Sequence, residues 1–368
     1  MKYLLFTLEY PPFKGGVGHY YKNLVGSWPE KNIRVLADSE GKEKGVITKR
    51  LTGKFIYPRW LPAIWHLTRT IKKRKINYVL VGHILPLGTV AWLLSHIFKY
   101  KYAVFLHGMD FTSALATKRK KWLSRKIINR ADKVILGNTF LAEFFKKEFK
   151  KEFKVINPGI DPHSPQIDKQ KKEKIKVKYD LGDDKLVLFS LGRLVERKGF
   201  DKVIESLPRV FTESPDLYYF LAGDGEDKER LEKIKDNLKP EQKKRIVFLG
   251  KISETEKWTW LDLADIFIMP ARKINNDFEG FGIVYLEANL VETPVIGGKS
   301  GGVVDVISRE NGILVDPRDT RQISESILKL AQDKNFREKL GKQGRDRAIQ
   351  QFSWQKKAGE IYNYLNKP

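Results

Sequence analysis

The 368-residue chain contains no cysteine, which removes disulfides, thiolate zinc sites, iron–sulfur ligation and a cysteine nucleophile together. Acidic residues are missing from one long stretch. Between Glu43 and Asp110 there is no Asp or Glu, although the stretch carries Lys54, Arg59, Arg69, the run Lys72-Lys73-Arg74-Lys75 and Lys99. An unbroken apolar span of bilayer length is lacking too. Residues 76–98 are free of charge, but Asn77, Gly82, His83, Pro86 and Gly88 divide them into a strand, a turn and an apolar helix over 88–98. The apolar N-terminal run stops at Glu9 and Pro11-Pro12 before any cleavage-like site, so it reads as a first buried strand. No internal repeat of about 20–50 residues recurs.

What is present excludes disorder as the main state: 41% of the residues are hydrophobic, and the length asks for two cores. The formal charge is +24. It is concentrated in one half, since residues 1–150 hold 29 Lys and Arg against 9 Asp and Glu, while residues 151–368 hold 40 against 36. Such a face suits an acidic partner, whether nucleic acid, an anionic membrane or a phosphorylated substrate. Short β-branched or aromatic runs predict strands at 2–8, 33–37, 78–82, 102–106, 133–137 and 153–156. A second series follows at 186–191, 217–222, 246–249, 266–269, 294–296 and 313–315. Amphipathic stretches alternate with them, which predicts an α/β protein with parallel sheets covered on both faces. Residues 157–185, rich in Pro, Asp and Lys, read as the linker between the two series.

Four predicted strand ends carry groups suited to phosphate. The first leads to Gly15-Gly16-Val17-Gly18 and a helical pattern over 19–28, where glycines admit close backbone approach and a helix start favours an anion. It is neither GxGxxG nor a P-loop. The second carries Arg193 and Lys198, a planar fork and a point charge that together match a diphosphate. The third has Glu279 and Glu287 around Gly280-Phe281-Gly282, with a helix expected near Ile283. Its first amides suit phosphate, and the two carboxylates suit sugar hydroxyls at either end of a diphosphate. The fourth is the glycine-rich loop of residues 297–302. Together they imply a nucleotide-linked substrate between two domains.

The segments PPFKGGVGHYYKNLV near the N-terminus, HGMD at 107–110, GRLVERKGFDKVIESL at 192–207, LAGDGEDKERLEKI at 221–234, EGFGIVYLEANLVETPVIGGKSGG at 279–302 and FSWQKKAGEIYNYL at 352–365 resemble the GT-B fold retaining glycosyltransferases of family four over nearly the whole chain. The resemblance implies two Rossmann-like domains with parallel sheets facing each other across a cleft. An acceptor-binding domain would span 1–165, with 352–368 crossing back to it, and a nucleotide-sugar domain 166–351. Position by position it implies that Gly15 and Gly16 lie near the donor phosphates and that Arg193 and Lys198 neutralise the diphosphate. Phe281, Gly282 and Ile283 would meet it through backbone amides, Glu279 would hold the hexose, Glu287 the ribose, and His107 would sit beside the sugar. Catalytic weight then falls on His107, Arg193, Lys198 and Glu279, and neither a metal nor a resident cofactor is expected. Asp183-Asp184 and Asp224 with Glu226 are set aside as metal ligands.

Within the family the chain looks most similar to phosphatidylinositol-type α-mannosyltransferases, which implies GDP-mannose and a glycolipid or lipid-linked glycan acceptor. UDP-linked glucose, N-acetylglucosamine or glucuronate with a soluble or polysaccharide acceptor stays open as the alternative. Two basic segments mix cations with interfacial tryptophan: Arg59, Trp60, Trp65, Arg69, Lys72, Lys73, Arg74 and Lys75, then Lys118, Arg119, Lys120, Lys121 and Trp122. They point to cytoplasmic, peripheral docking on an anionic inner membrane face. A nucleic-acid-binding protein is the reading of another class that the charge alone permits, though it leaves the four strand ends unexplained.

Overall fold

The computed structural model describes residues 1–12, 15–38, 46–53, 57–163, 165, 167–275 and 277–367; Lys54 and the Phe13-Lys14 pair of the N-terminal motif lie outside them. The chain forms two compact units, Met1–Gly159 together with the chain from Trp354 onward, and Ile160–Ser353. The first unit holds β1 Tyr3–Thr7, β2 Ile33–Ala37, β3 Val46–Thr48, β4 Tyr78–Val81, β5 Lys101–Leu106, β6 Lys133–Leu136 and β7 Lys154–Val155, in the order β3-β2-β1-β4-β5-β6-β7. The second holds β8 Leu186–Leu191, β9 Leu217–Ala222, β10 Ile246–Gly250, β11 Ile266–Met269, β12 Val295–Gly298 and β13 Gly312–Val315, in the order β10-β9-β8-β11-β12-β13. All pairings are parallel.

Parallel strands covered on both faces bury every residue, which is why β4 and β11 are apolar throughout, β1 apolar but for Thr7, and all three fully buried. The edge strand β3 is only half-buried and carries no such signal, so the sequence pattern passes over it. In each sheet the strand order reverses once, between β1 and β4 and between β8 and β11. Crevices at the carboxyl ends beside such reversals are where open α/β sheets bind ligands.

Two expectations change. The helix after β1 runs Gly16–Gly26 and not 19–28, because the chain is already helical at the glycines. The supposed linker contains a helix, Lys169–Tyr179, that belongs to the second unit. Asp168 caps it by accepting from the Lys171 amide at 2.9 Å, and Lys172 Nζ meets Asp262 Oδ2 at 2.7 Å. None of its residues is fully buried; Ile175 and Tyr179 lean on the core, a face too narrow to read in so lysine-rich a sequence.

The last helix, Trp354–Asn366, packs on the first unit. Trp354 stands edge-on to Tyr20 at 5.1 Å between centroids, Tyr362 meets Trp28 at 5.6 Å, and Asn366 Oδ1 accepts from the Tyr3 hydroxyl at 2.9 Å. Gly159 admits the indole, since a Cβ there would lie 2.7 Å from Trp354 Cδ2. Trp354→Ala is therefore expected to destabilise the first unit by about 3–5 kcal/mol through the cavity it leaves, read as a lower midpoint in urea.

Candidate active site

In the second unit the loop after β8 and the chain after β11 meet. Glu279 Oε2 accepts from Lys198 Nζ at 2.6 Å and from Arg197 Nη1 at 2.7 Å, and all three side chains are nearly buried. Burial pushes the Glu279 carboxyl up, but the two cations outweigh it and hold it below its ordinary range. Arg197 also lies 3.1 Å from Asp277. Arg193 differs: it is exposed and has no side-chain partner among the described residues. Its guanidinium is a charge held ready rather than one already neutralised.

The loop is rigid for identifiable reasons. Gly199 has φ 77°, and a Cβ there would stand 2.1 Å from the Pro270 carbonyl. Arg272 donates through both terminal nitrogens to the Asp201 carboxylate at 2.7 Å each, and its amide donates to the Arg197 carbonyl at 2.7 Å. Asp201 is itself almost fully buried; burial opposes its charge, yet Arg272 and Arg230 keep its carboxyl below the usual range.

The helix expected near Ile283 runs Ile283–Leu290, with Gly282 before it at φ 80°. Its first amides have no acceptor within the helix. Phe281 turns its ring into the core against Phe352, 5.9 Å away. Glu287, one turn in, receives Lys257 Nζ at 2.6 Å. Burial lowers that lysine's pKa, but Glu287 and Glu254 more than reverse it.

The glycine-rich loop at 297–302 has another cause than the one its sequence suggests. A Cβ on Gly298 would lie 2.1 Å from the Ala271 carbonyl and one on Gly301 2.5 Å from the Glu279 carbonyl, while the Gly302 amide donates to that same oxygen at 2.9 Å. These glycines let the loop wrap the backbone that carries Glu279.

In the first unit polar groups gather at the ends of β1, β4 and β5. Gly15 caps the helix Gly16–Gly26, and a Cβ on Gly16 would meet no described atom within 4 Å. The His107 ring lies edge-on to Tyr20 at 4.6 Å, and its Nε2 is 2.8 Å from the Tyr21 hydroxyl. Burial lowers its pKa to about 4 despite the nearby Asp110 carboxylate, so the ring is neutral at neutral pH. Asp110 Oδ1 accepts from the amides of His107 and Gly108 at 3.1 and 2.8 Å, fixing the strand-to-helix turn. Glu9 Oε1 faces His83 Nε2 at 3.4 Å, and His83 Nδ1 lies 3.4 Å from the Leu8 amide.

Arg197, Lys257, Tyr21, Glu9 and His83 were not singled out as site residues from sequence. Glu9 alone had a signal, as a charge directly after a buried strand.

The basic segments lie on helices Leu61–Arg74 and Lys118–Arg130, both packed against the helix Leu87–Leu94. Trp65 and Trp122 are more than half exposed, with Arg69 and Lys126 over their rings at 5.5 and 5.7 Å. Arg59, Arg69, Lys72 to Lys75 and Lys118 to Lys120 are exposed and Trp60 is half-buried, whereas Lys121 is held by Glu148 at 2.6 Å. No helix among the described residues is long and apolar enough to cross a membrane.

Each unit carries a parallel sheet with charged or glycine-rich loops at its strand ends, and comparison identifies the family. Residues 14–164 match the model of Glycosyltransferase Family 4 and residues 171–347 that of Glycosyl transferases group 1. The chain belongs to the GT-B glycosyltransferases of family four and is a glycosyltransferase. It is 29% identical to a GDP-mannose-dependent monoacylated alpha-(1-6)-phosphatidylinositol monomannoside mannosyltransferase of Corynebacterium glutamicum, over 99% of this chain and 97% of the relative. The GDP-mannose-dependent alpha-(1-6)-phosphatidylinositol monomannoside mannosyltransferase of Mycolicibacterium smegmatis is 28% identical over 99% and 98%. Among solved structures, Anabaena Alr3699/HepE in complex with UDP shares the fold at a TM-score of 0.80, with 17% identity and 99% of each chain covered.

The Glu279 ion pairs also set a pH response. Its folded pKa lies below the unfolded value of 4.5, so the charge stabilises the fold above that value and the contribution fades as pH falls through the folded pKa. The gap in thermal midpoint between wild type and Glu279→Gln is expected to narrow as pH falls below that unfolded value, as differential scanning calorimetry can measure.

Proposed function

We propose that the protein is a retaining α-mannosyltransferase that moves mannose from GDP-mannose to a hydroxyl of a membrane-held glycolipid of phosphatidylinositol type. The observation that carries the reading is Glu279 held by Lys198 and Arg197 on the approach to the helix Ile283–Leu290. A sugar-binding carboxylate thus adjoins cations and amides suited to a diphosphate. Whole-length similarity to enzymes named for GDP-mannose supports the donor.

In this reading the bond from the anomeric carbon to the diphosphate oxygen breaks while the acceptor oxygen bonds to the same face of the sugar. The departing diphosphate takes the acceptor proton. Charge grows on phosphate oxygens, where Arg193, Lys198 and the amides of Phe281, Gly282 and Ile283 stabilise it without a divalent metal. Gly15 and Gly16 leave room near the phosphates, Glu279 orients the hexose, Glu287 the ribose and His107 a sugar hydroxyl. The basic, tryptophan-bearing helices hold the first unit to the cytoplasmic face of an anionic membrane, where the lipid acceptor is presented.

A second reading, a UDP-hexose donor with a soluble or polysaccharide acceptor, draws on the UDP in the Anabaena neighbour. A calorimetric panel of GDP, UDP, ADP and TDP sugars in EDTA separates the two. GDP-mannose is expected to bind most tightly and undiminished by the chelator; binding confined to UDP sugars rejects the donor assignment.

A further inference from the structure

We infer that Tyr21 is a positioning residue that fixes His107 as its Nε2–H tautomer, so that Nδ1 is presented as a hydrogen-bond acceptor for a substrate hydroxyl. The first half stands on geometry alone; the second rests on the glycosyltransferase reading above.

The Tyr21 hydroxyl is 2.8 Å from the Gly82 carbonyl and 2.8 Å from His107 Nε2. A phenol has one proton and a carbonyl has none. The hydroxyl proton therefore goes to Gly82, and the phenolic oxygen is left to accept from His107, which must carry its proton on Nε2. The opposite arrangement would face two lone-pair oxygens at 2.8 Å in a fully buried position, with the Gly82 carbonyl unpaired.

Neither partner can move away. Tyr21 is wholly buried, and its ring fills the space beside Gly82, where a Cβ would come 2.9 Å from Tyr21 Cζ. The His107 ring is fixed by the edge of Tyr20 at 4.6 Å and by Phe105 stacked at 6.4 Å. Tyr20 is backed in turn by Trp354 of the last helix.

Nδ1 is left with a lone pair and no partner among the described residues. It lies beside the turn that follows β6, 3.9 Å from where a Cβ on Gly137 would stand. The charged and titratable groups around the ring are Asp110, Glu9, His83, Tyr20 and Tyr21. Burial keeps the ring neutral among them. A neutral imidazole whose Nδ1 carries a fixed, unpaired lone pair accepts a proton in a hydrogen bond and cannot donate one there. It selects a hydroxyl at that position of the sugar and does not serve as a general acid.

Nitrogen-15 NMR of histidine-labelled protein tests the assignment, with His107→Gln identifying the ring's signals by their loss. At neutral pH the His107 pattern is expected to be that of the neutral Nε2–H form, and Tyr21→Phe is expected to give a tautomer mixture. An imidazolium or Nδ1–H pattern in wild type overturns the proposal whether or not Tyr21→Phe folds, as does a folded Tyr21→Phe with an unchanged spectrum. Kinetics test the hydroxyl contact. Asn places an oxygen near the Nδ1 position and Gln reaches toward Nε2, so His107→Asn should keep kcat/KM about tenfold above His107→Gln, the worth of one hydrogen bond. Equal losses overturn the contact. The expected spectra without turnover of any nucleotide sugar would support the tautomer and refute the glycosyltransferase reading separately.

Discussion

Lys198→Ala is expected to lower kcat by about 10²–10³-fold, the usual consequence of removing one preorganised donor from developing transition-state charge. Arg193→Ala is expected to lose activity as well, but the two should differ in stability. Lys198 is tied to the buried carboxylate of Glu279, and deleting one member of such a cluster leaves the remainder imperfectly compensated. Arg193 is exposed and without a partner among the described residues. Steady-state kinetics with a parallel thermal melt should therefore show Lys198→Ala impaired in both readouts and Arg193→Ala in activity alone. Equal melting temperatures for the two variants would mean that the Lys198–Glu279 pair contributes nothing to the fold.

Neutralising Lys72, Lys73, Arg74 and Lys75 together is expected to weaken binding to anionic vesicles by roughly 10³-fold at low salt, from about 1 kcal/mol per cation near the surface. All four side chains are exposed, and none is in an ion pair among the described residues, so the fold should tolerate the change. Trp65→Ala and Trp122→Ala should weaken binding further by removing apolar anchors. Co-sedimentation across a salt series measures both, since an electrostatic attachment fades with added salt. Vesicle binding that ignores these substitutions would place the membrane contact elsewhere on the chain.

The sequence made the fold legible wherever burial on both faces enforces an apolar run. Twelve of the thirteen strands among the described residues fall on readable apolar or β-branched runs, including the half-buried edge strand β7, whereas β3, three half-buried residues at a sheet edge, does not stand out. The helix Lys169–Tyr179 is hidden for the complementary reason: none of its residues is fully buried, and Ile175 and Tyr179, which lean on the core, are lost among lysines that look like a linker. Within the candidate site, isolated charges beside glycines were readable as single residues, but their partners were not. Glu279 finds Lys198 and Arg197 from 81 and 82 residues away, and Glu287 finds Lys257 across 30. Only the sheet brings them together. Arg197 went unremarked because a cation next to a lysine in a loop reads as solvated. The glycines at 298 and 301 have a reason the sequence did not show, since they serve close approach to the protein's own backbone.

The most direct test of the account is to incubate the protein with GDP-mannose and a phosphatidylinositol mannoside in anionic vesicles and to follow the lipid by mass spectrometry and NMR. The account predicts a lipid heavier by one hexose, joined in α linkage, with one GDP released per transfer. GDP-mannose left intact while a UDP-hexose is consumed under the same conditions would contradict it.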